Sequence, residues 1–237
     1  MHLAVISDIH GNLPALEAVL ADIGRRGVTQ VVNLGDCVLG PLWPRETCAF
    51  LMTRGFPTVR GNTDRSVATL APADMTPLQH YTLGQLEEAQ RRWLGDLPTT
   101  LRLDQGILAV HGCPDDDNRY LLEDIEQGRL VRATAETITQ RLGSTDAVLV
   151  LCGHSHQQHM VRLPGGPLLL NPGSVGLSDI GSPHARYALV RREHGAMTIE
   201  LVALDYDHAS AVKRASANDN PRWAYTLATG FPLPARA

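Results

Sequence analysis

The chain has 237 residues, of which 43% are hydrophobic and 19% charged, a balance typical of a soluble globular protein with a sizeable core. A formal net charge of −4 argues against a protein whose main function is to bind the phosphate backbone of nucleic acids, because such proteins usually carry a basic surface. We find no secretory leader pattern and no apolar run long enough to cross a bilayer, so we expect a cytoplasmic protein without membrane contact.

The first quarter of the chain alternates short apolar runs with amphipathic stretches, and each apolar run ends at a polar or glycine-containing turn. The pattern predicts strands at 2–7, 30–34 and 57–60, and helices at 13–26 and 44–53. Alternation of this kind indicates a layered α/β fold whose successive strands lie next to one another.

The remainder of the chain is less regular, and we expect loops at 71–77 and around the acidic run Asp115 to Asp117. Helices are predicted at 83–94 and 133–142, and strands at 101–103, 106–110, 147–152, 161–163, 168–170, 185–190 and 197–202. A polar helical tail covers about residues 207–237. Because there is no repeat or long linker, residues 1–237 are predicted to form a single domain.

The four cysteines show no C-x-x-C spacing and no dense framework. This usage fits free thiols in a reducing compartment better than disulfides. Cys37, Cys113 and Cys152 each stand next to a candidate site residue, but a small buried thiol is the expected role of each.

Candidate site residues follow five of the predicted strands at the point where each strand ends. In layered α/β proteins, sites form beyond the carboxyl ends of the strands, so residues scattered in sequence can converge there. The five strand ends are Ser7-Asp8-Ile9-His10, Gly35-Asp36, Gly61-Asn62, His111-Gly112 and Gly153-His154-Ser155-His156.

These residue types suit divalent or trivalent metal ions, because imidazole and carboxylate groups bind Mn, Fe, Zn, Co and Ni. Asp8 and His10 are two residues apart, as are His154 and His156, so each pair lies on one side of an extended segment. Either pair alone is more often a surface or capping pair, and only the five strand ends together indicate a metal centre.

The order of these strand-end motifs resembles the calcineurin-like metallophosphoesterase superfamily. The opening from Ser7 to Asn12 and the later Asn171-Pro-Gly-Ser174 are similar to its small bacterial and archaeal phosphodiesterase branch. The resemblance implies a double β-sandwich flanked by helices. It also implies a small phosphate-ester substrate, two metal ions with manganese favoured, and attack by a hydroxide that bridges them, without a protein nucleophile.

The resemblance further implies how the ligands are shared between the two metal ions. Three residues would hold the first ion, three the second, and Asp36 would bridge both. The first set is Asp8, His10 and His156, and the second set is Asn62, His111 and His154.

One position departs from the family pattern. Where the family has a histidine that protonates the leaving oxygen, this chain has Thr63, whose pKa is far too high for that role. A general acid matters most for poor alkoxide leaving groups, so we expect phosphodiesters or good leaving groups to be preferred over alkyl monoesters. His80, predicted in a loop, could supply the proton, although a solvated histidine is the more frequent case.

Two further residues are candidates for substrate binding. Asn12 could orient a phosphate oxygen, or it could cap the helix that begins near Leu13. Arg65 could pair with phosphate, or it could be a surface charge. The segments 70–82 and 114–124 are expected to shape the substrate pocket.

Two other functions compete with hydrolysis of small phosphate esters. A catalytically weak or inactive protein-interaction scaffold on the same fold is one, although it would have no reason to keep all seven ligands. A nuclease is the other, and the acidic balance and the 5% content of aromatic residues make nucleic-acid binding unlikely. A homo-oligomer is compatible with the sequence.

Overall fold

A computed structural model describes residues 1–104 and 106–234. The strands are β1 (His2–Ile6), β2 (Gln30–Asn33), β3 (Thr100–Leu103), β4 (Ile107–Val110), β5 (Glu123–Glu126), β6 (Arg129–Arg132), β7 (Leu149–Leu151), β8 (His159–Arg162), β9 (Leu168–Asn171), β10 (Ala185–Glu193) and β11 (Ala196–Leu204). The α-helices are α1 (Leu13–Arg25), α2 (Pro44–Arg54), α3 (Asn62–Thr69), α4 (Pro77–Gln85), α5 (Glu88–Asp96), α6 (Ala135–Leu142), α7 (His208–Ala217) and α8 (Pro221–Thr229). None of these helices is long and apolar enough to cross a membrane.

Two mixed sheets form the centre of the fold. The first has the strand order β11-β10-β1-β2, and the second has the order β3-β4-β7-β9-β8. β1 pairs parallel with β2, and β4 pairs parallel with β7, so the carboxyl ends within each pair point the same way. A separate hairpin consists of β5 and β6.

Three apolar cores hold the layers together. One lies between the sheets and contains residues from both, such as Val5 and Val190 from the first sheet and Leu149 and Leu151 from the second. A second core packs helices α1, α2, α3 and α5 on the outer face of the first sheet, and a third packs α6 against the second sheet. This confirms the predicted layered α/β fold with two stacked sheets flanked by helices.

The predicted elements of the first quarter are confirmed except at 57–60. That segment pairs with β2 only through one bridge, between Asn33 and Thr58, because Pro57 has no amide hydrogen to donate and α3 begins at Asn62. Helix α3 was not predicted, since its Asn, Thr, Asp and Ser residues favour turns. Packing of Val67 in the core stabilises it.

The middle of the chain differs from the prediction in three places. The loop expected at 71–77 contains one turn of 3-10 helix at Pro72–Asp74, and its last residue begins α4. A single helix was expected at 83–94, but the chain forms α4 and α5 with a break at Leu86 and Glu87. The side-chain oxygen of Gln90 accepts a hydrogen bond from the Glu87 amide at 2.9 Å, which caps a new helix there. The β5–β6 hairpin was also not predicted, because both of its strands are rich in charged residues.

The predicted helical tail at about 207–237 forms α7 and α8, which end at Thr229 and pack against each other and against the body of the chain, while 235–237 lie outside the described residues. Their small apolar core contains Leu42, Ala211, Ala215 and Leu227. Asp207 caps α7 by accepting a hydrogen bond from the Ser210 amide at 3.1 Å. The tail therefore folds back onto the loop that precedes α2.

Candidate metal centre

The loops that follow β1, β2, β4 and β7 meet at one end of the two sheets and are tied together by backbone hydrogen bonds. The Asp8 amide donates to the Gly35 carbonyl at 2.9 Å, the His10 amide to the Asp36 carbonyl at 2.9 Å, and the Gly153 amide to the His111 carbonyl at 2.8 Å. The strand ends therefore converge as the sequence predicts.

The first candidate metal site contains Asp8, His10 and His156, and one ligand atom from each lies within 4.8 Å of the other two. Asp8 Oδ1 is 3.4 Å from His156 Nε2 and 4.0 Å from His10 Nε2. This oxygen is buried and has no hydrogen-bond partner. A buried, unpartnered carboxylate oxygen that faces two imidazole nitrogens fits a bound cation.

The second candidate metal site contains Asp36, His111 and His154, whose ligand atoms also lie within 4.8 Å of one another. Asn62 belongs to the same group, because its side-chain oxygen is 3.0 Å from His111 Nε2. All four residues come from different strand-end loops, so this part of the centre depends on both sheets.

Asp36 lies between the two sites. Its Oδ2 is 3.7 Å from His10 Nε2, and its Oδ1 is 3.4 Å from His111 Nε2. Each oxygen thus faces a different candidate site, an arrangement that would allow the carboxylate to bridge two ions. The Thr63 amide donates to Asp36 Oδ1 at 3.0 Å and fixes the carboxylate.

Hydrogen bonds to backbone carbonyls orient the imidazole rings. The Nδ1 atoms of His10, His111 and His156 lie 2.8–2.9 Å from the carbonyls of Leu39, Leu34 and Leu177. Nδ1 therefore donates and Nε2 is left to bind a metal ion. In His154 it is Nε2 that lies 2.9 Å from the Asn118 carbonyl, so Nδ1 is the free nitrogen.

The backbone of the site is conformationally unusual. Among the described residues, eight that are not glycine have a positive φ, and five of them are predicted metal ligands. These five have φ values between 52° and 67°, a left-handed conformation that side chains with a Cβ rarely adopt. Such strain persists where surrounding structure enforces it and is concentrated at functional sites. The five are Asp8, His10, Asp36, His154 and His156.

Two glycines allow the loops to approach this closely. A Cβ on Gly61 would lie 2.1 Å from Asp36 Oδ1, and a Cβ on Gly153 would lie 2.1 Å from Ser7 Oγ and 2.9 Å from Asp8 Oδ2. Any side chain at either position would displace a carboxylate of the site.

Charge interactions within the centre are strong in the absence of a metal ion. Burial raises the pKa of Asp8, but attraction to His156 outweighs it, and the pKa lies well below its usual range. Burial lowers the pKa of His156, but Asp8 raises it to about 9. Burial lowers the pKa values of His10 and His154, which favours the neutral imidazole that a metal ion needs.

The motif from Asn171 to Ser174 supports two of the ligand loops. The Asn171 side-chain amide donates to the Gly153 carbonyl at 2.8 Å, and Ser174 Oγ donates to the Asp8 carbonyl at 2.8 Å. Its role is therefore to hold the backbone of the ligands in place.

Asn12 caps α1, which is one of the two roles expected for it. Its side-chain oxygen accepts from the Ala15 amide at 3.3 Å, and its amide donates to the Gly176 carbonyl and the Tyr206 hydroxyl at 2.8 and 2.9 Å. The side chain is fully buried. Capping of α1 is thus confirmed, and the contact with phosphate stays a prediction.

Arg65 is half-buried and paired. It donates two hydrogen bonds to Asp117, at 2.7 and 2.8 Å, which joins α3 to the acidic loop. Both residues line a cavity of about 340 Å³ together with His111. The contact between Arg65 and a substrate phosphate stays a prediction.

Thr63 and His80 are the two residues considered in connection with the proton donor that the family has and this chain lacks. Thr63 Oγ1 is buried and has no hydrogen-bond partner. His80 lies on α4 and not in a loop, because Thr76 caps that helix by accepting a hydrogen bond from the Gln79 amide at 3.3 Å. Its side chain is exposed, as expected for a solvated histidine.

Three residues near the centre were not singled out from the sequence. Asp64 is buried and accepts hydrogen bonds from the amides of Asp36, Cys37 and Gly61 at 2.8–3.0 Å, which joins two ligand loops. The Tyr120 ring stacks on His154 with 4.5 Å between centroids. The ring of Trp223, from α8, makes a T-shaped contact with the His10 ring at 5.7 Å between centroids.

Asp64 belongs to the Gly61-Asn62-Thr63-Asp64 motif, so its place near the centre could have been predicted from the sequence. No local pattern marks Tyr120 or Trp223, because their contacts depend on how distant segments fold back.

Comparison with known proteins agrees with this fold. A metallophosphoesterase from Sphaerobacter thermophilus superposes with a TM-score of 0.77 at 26% identity, covering 97% of this chain and 99% of that one. A hypothetical protein from Pyrococcus horikoshii superposes with a TM-score of 0.78 at 22% identity, covering 98% and 99%. An uncharacterized protein of Methanocaldococcus jannaschii is 27% identical over 247 residues, covering 93% of this chain and 94% of that protein.

A family model described as the calcineurin-like phosphoesterase superfamily domain matches residues 1–195, which include every predicted metal ligand. The resemblance inferred from the strand-end motifs is thereby confirmed. The chain belongs to the calcineurin-like phosphoesterase superfamily.

Proposed function

We propose that this protein hydrolyses phosphodiesters at a centre of two metal ions, held by the seven strand-end residues. The observation that carries the proposal is the position of Asp36, whose two oxygens face His10 and His111 in different candidate sites. When bound, the two ions would neutralise phosphate charge and activate water for an in-line displacement.

The side chains that hold the ions have distinct tasks. Asp8, His10 and His156 would bind the first ion, while Asn62, His111 and His154 would bind the second. Asp36 would set the separation between the ions. Hydrogen bonds to backbone carbonyls fix the imidazole rings, so little reorganisation is needed when metal ions bind.

A nucleophile from the protein is not part of the proposal. Burial raises the pKa values of the Cys37 and Cys152 thiols well above their usual range, so both stay protonated and unreactive. The four cysteines are free and buried, which also supports the proposal of a reducing, cytoplasmic compartment.

The preference for diesters follows from residue 63. Without a histidine there, no side chain at that position can protonate an alkoxide leaving group, and the Thr63 amide is already engaged with Asp36. We therefore propose that the protein hydrolyses diesters faster than alkyl monoesters. Mn²⁺ is the favoured metal ion.

The test is a panel of mono- and diesters assayed with purified protein reconstituted with Mn²⁺, Fe²⁺, Zn²⁺, Co²⁺ or Ni²⁺. The expected result is diester hydrolysis with at least one ion and a clear excess over alkyl monoesters. A strong preference for monoesters would refute the diester assignment. Absence of both bound metal and turnover would instead favour the scaffold.

A further inference from the structure

The C-terminal helices lie outside the part of the chain that the family model matches, yet α8 reaches the candidate metal centre. The model ends at residue 195, and α8 begins at Pro221. Trp223 on this helix meets the His10 ring at an interplanar angle of 80°. A segment beyond the residues that the family model matches therefore forms part of the wall beside the first candidate metal site.

The ring of Trp223 is held firmly in this position. It packs against the backbone at Gly40, where a Cβ would lie 3.0 Å from two ring atoms. The side chain is half-buried, and its remaining surface faces a cavity. A half-buried aromatic ring that lines a cavity is a suitable surface for stacking of a planar ligand.

That cavity has a volume of about 460 Å³, which is within the range of small-molecule sites. His156, a candidate metal ligand, forms part of its lining, so a phosphate held at the metal centre would lie at its edge. Apolar side chains complete the walls: Leu78, Leu177, Pro232 and Leu233.

Besides His156, four polar residues line the cavity, and Thr226 is the buried one among them. Arg222 is exposed and forms no ion pair with any residue of the described ranges, 1–104 and 106–234. The Asn220 side chain makes no capping hydrogen bond to α8, so its amide can both donate and accept. Asp179 is half-buried and accepts a long hydrogen bond from Gln157 at 3.5 Å. These groups could bind the polar edge of a ring that stacks on Trp223.

We propose that this cavity binds the organic group of the phosphate ester, and that this group carries a planar ring with hydrogen-bonding edges, as a nucleobase does. The proposal rests on the proposed function, because it assigns the scissile phosphate to the metal centre. Trp223 is then a specificity-determining residue that stacks on the ring, and Asn220 and Asp179 bind its edge.

Two substrates with the same leaving group test this directly. Thymidine 5′-(p-nitrophenyl phosphate) and methyl p-nitrophenyl phosphate both release p-nitrophenolate and differ only in the retained group. With Mn²⁺-loaded wild-type protein, we expect kcat/KM to be at least about tenfold higher for the thymidine ester. Trp223→Ala should lower this ratio about tenfold, mainly through KM, because stacking on an aromatic side chain contributes an effect of this order.

Two further variants keep the test independent of folding defects. Leu78→Trp fills the cavity from α4, leaves the sequence of α8 unchanged, and should lower the same ratio. Tyr225→Ala removes an exposed aromatic ring from α8 that does not line the cavity, and the ratio should stay unchanged. Circular dichroism and the Tm of each variant establish that it is folded.

Binding of a nucleotide to the cavity can be measured without turnover. Calorimetry with thymidine 5′-monophosphate should show binding to wild-type protein that weakens about tenfold in Trp223→Ala and in Leu78→Trp. If neither ester is turned over but this binding pattern is observed, the proposed function fails and the cavity assignment survives. A wild-type ratio near one, or equal binding by wild type and both cavity variants, would overturn the inference.

Discussion

Asp36 is the residue on which both candidate metal sites depend. Its carboxylate is almost fully buried, and its position is fixed by the Thr63 amide and by the strained backbone at φ 55°. An amide in its place would keep the shape of the side chain but remove the charge and one strong ligand atom.

We therefore expect Asp36→Asn to lower diester turnover by at least about a hundredfold. Replacing a residue that only hydrogen-bonds to a metal ligand already lowers activity or metal affinity by up to about that factor. Bound metal, measured by inductively coupled plasma mass spectrometry, should fall below two ions per chain. The matched control is Asp146→Asn, which changes an exposed aspartate paired with Arg102 and should leave both quantities unaltered. Near-normal turnover in Asp36→Asn would contradict the bridging role.

Glu123 is a buried carboxyl whose protonation affects stability. It is 3% exposed, and its Oε1 lies 3.4 Å from His159 Nε2 without a hydrogen bond. Burial raises its pKa from 4.5 to about 7, against the hydrogen bond from Ser155 and the attraction of Arg141. Because the folded-state pKa is raised, the folded protein binds the proton more tightly than the unfolded chain, and stability is lost as pH rises from about 4.5 through about 7.

Replacing Glu123 with Gln removes this dependence. At pH 8.5 the variant should be more stable than wild type by up to about 3 kcal/mol, the free energy that corresponds to a pKa change from 4.5 to about 7. At pH 5 the difference should be much smaller. Urea unfolding at both pH values measures it, and Glu126→Gln, at an exposed position of the same strand, is the control. A pH-independent difference would show that Glu123 is ionised in the folded protein.

At the scale of elements, the loop between the bridge at Thr58 and helix α3 packs closely against the Asp36 loop. The Gly61 amide and the Asp36 amide both donate to Asp64 Oδ2, so two ligand loops share one buried carboxylate. The absence of a side chain at Gly61 is what lets the Asp36 carboxylate fit.

Gly61→Ala should therefore displace Asp36, since the added Cβ would lie 2.1 Å from its Oδ1. We expect at least about a tenfold loss of turnover together with weaker metal binding. Gly84→Ala is the control, because Gly84 lies in α4 with open space around it and alanine there should stabilise the helix by about 0.5–1 kcal/mol. Full activity of Gly61→Ala at normal metal content would mean that the loop is not as closely packed as described.

The elements also show what could be predicted from the sequence. Strand ends such as Gly35-Asp36 and Gly153-His154 combine a strong apolar run with a glycine and a polar residue, so both the strands and their convergence were predictable. Helix α3 was not, because its residues have weak helix propensity and packing of Val67 decides its structure. The break between α4 and α5 depends on a single cap by Gln90, which a periodic pattern does not reveal.

At the scale of the whole molecule, the C-terminal helices are attached through a small core. Leu227 is 2% exposed and packs in the cluster that contains Leu42, so α8 and the loop before α2 stabilise each other. The sequence predicted helices here but not their position beside His10. Trp223 and His10 are more than two hundred residues apart, and a local sequence pattern does not indicate a contact over that separation.

Leu227→Ala should loosen this attachment, with a cost of about 2–5 kcal/mol for a buried leucine. We expect faster amide hydrogen exchange in α7 and α8 and little change in the central strands β1 and β7. Metal content should be preserved, because no predicted ligand lies on these helices. Leu201→Ala, at an exposed position of β11, provides the control. Uniformly faster exchange across the chain would show that the helices do not unfold as a separate unit.

The central claim is that two metal ions bind among the seven strand-end residues. Anomalous diffraction from crystals grown with Mn²⁺ tests it most directly. We predict two peaks, one among Asp8, His10 and His156 and the other among Asn62, His111 and His154, with Asp36 between them. A single peak, or peaks away from these side chains, would contradict the account.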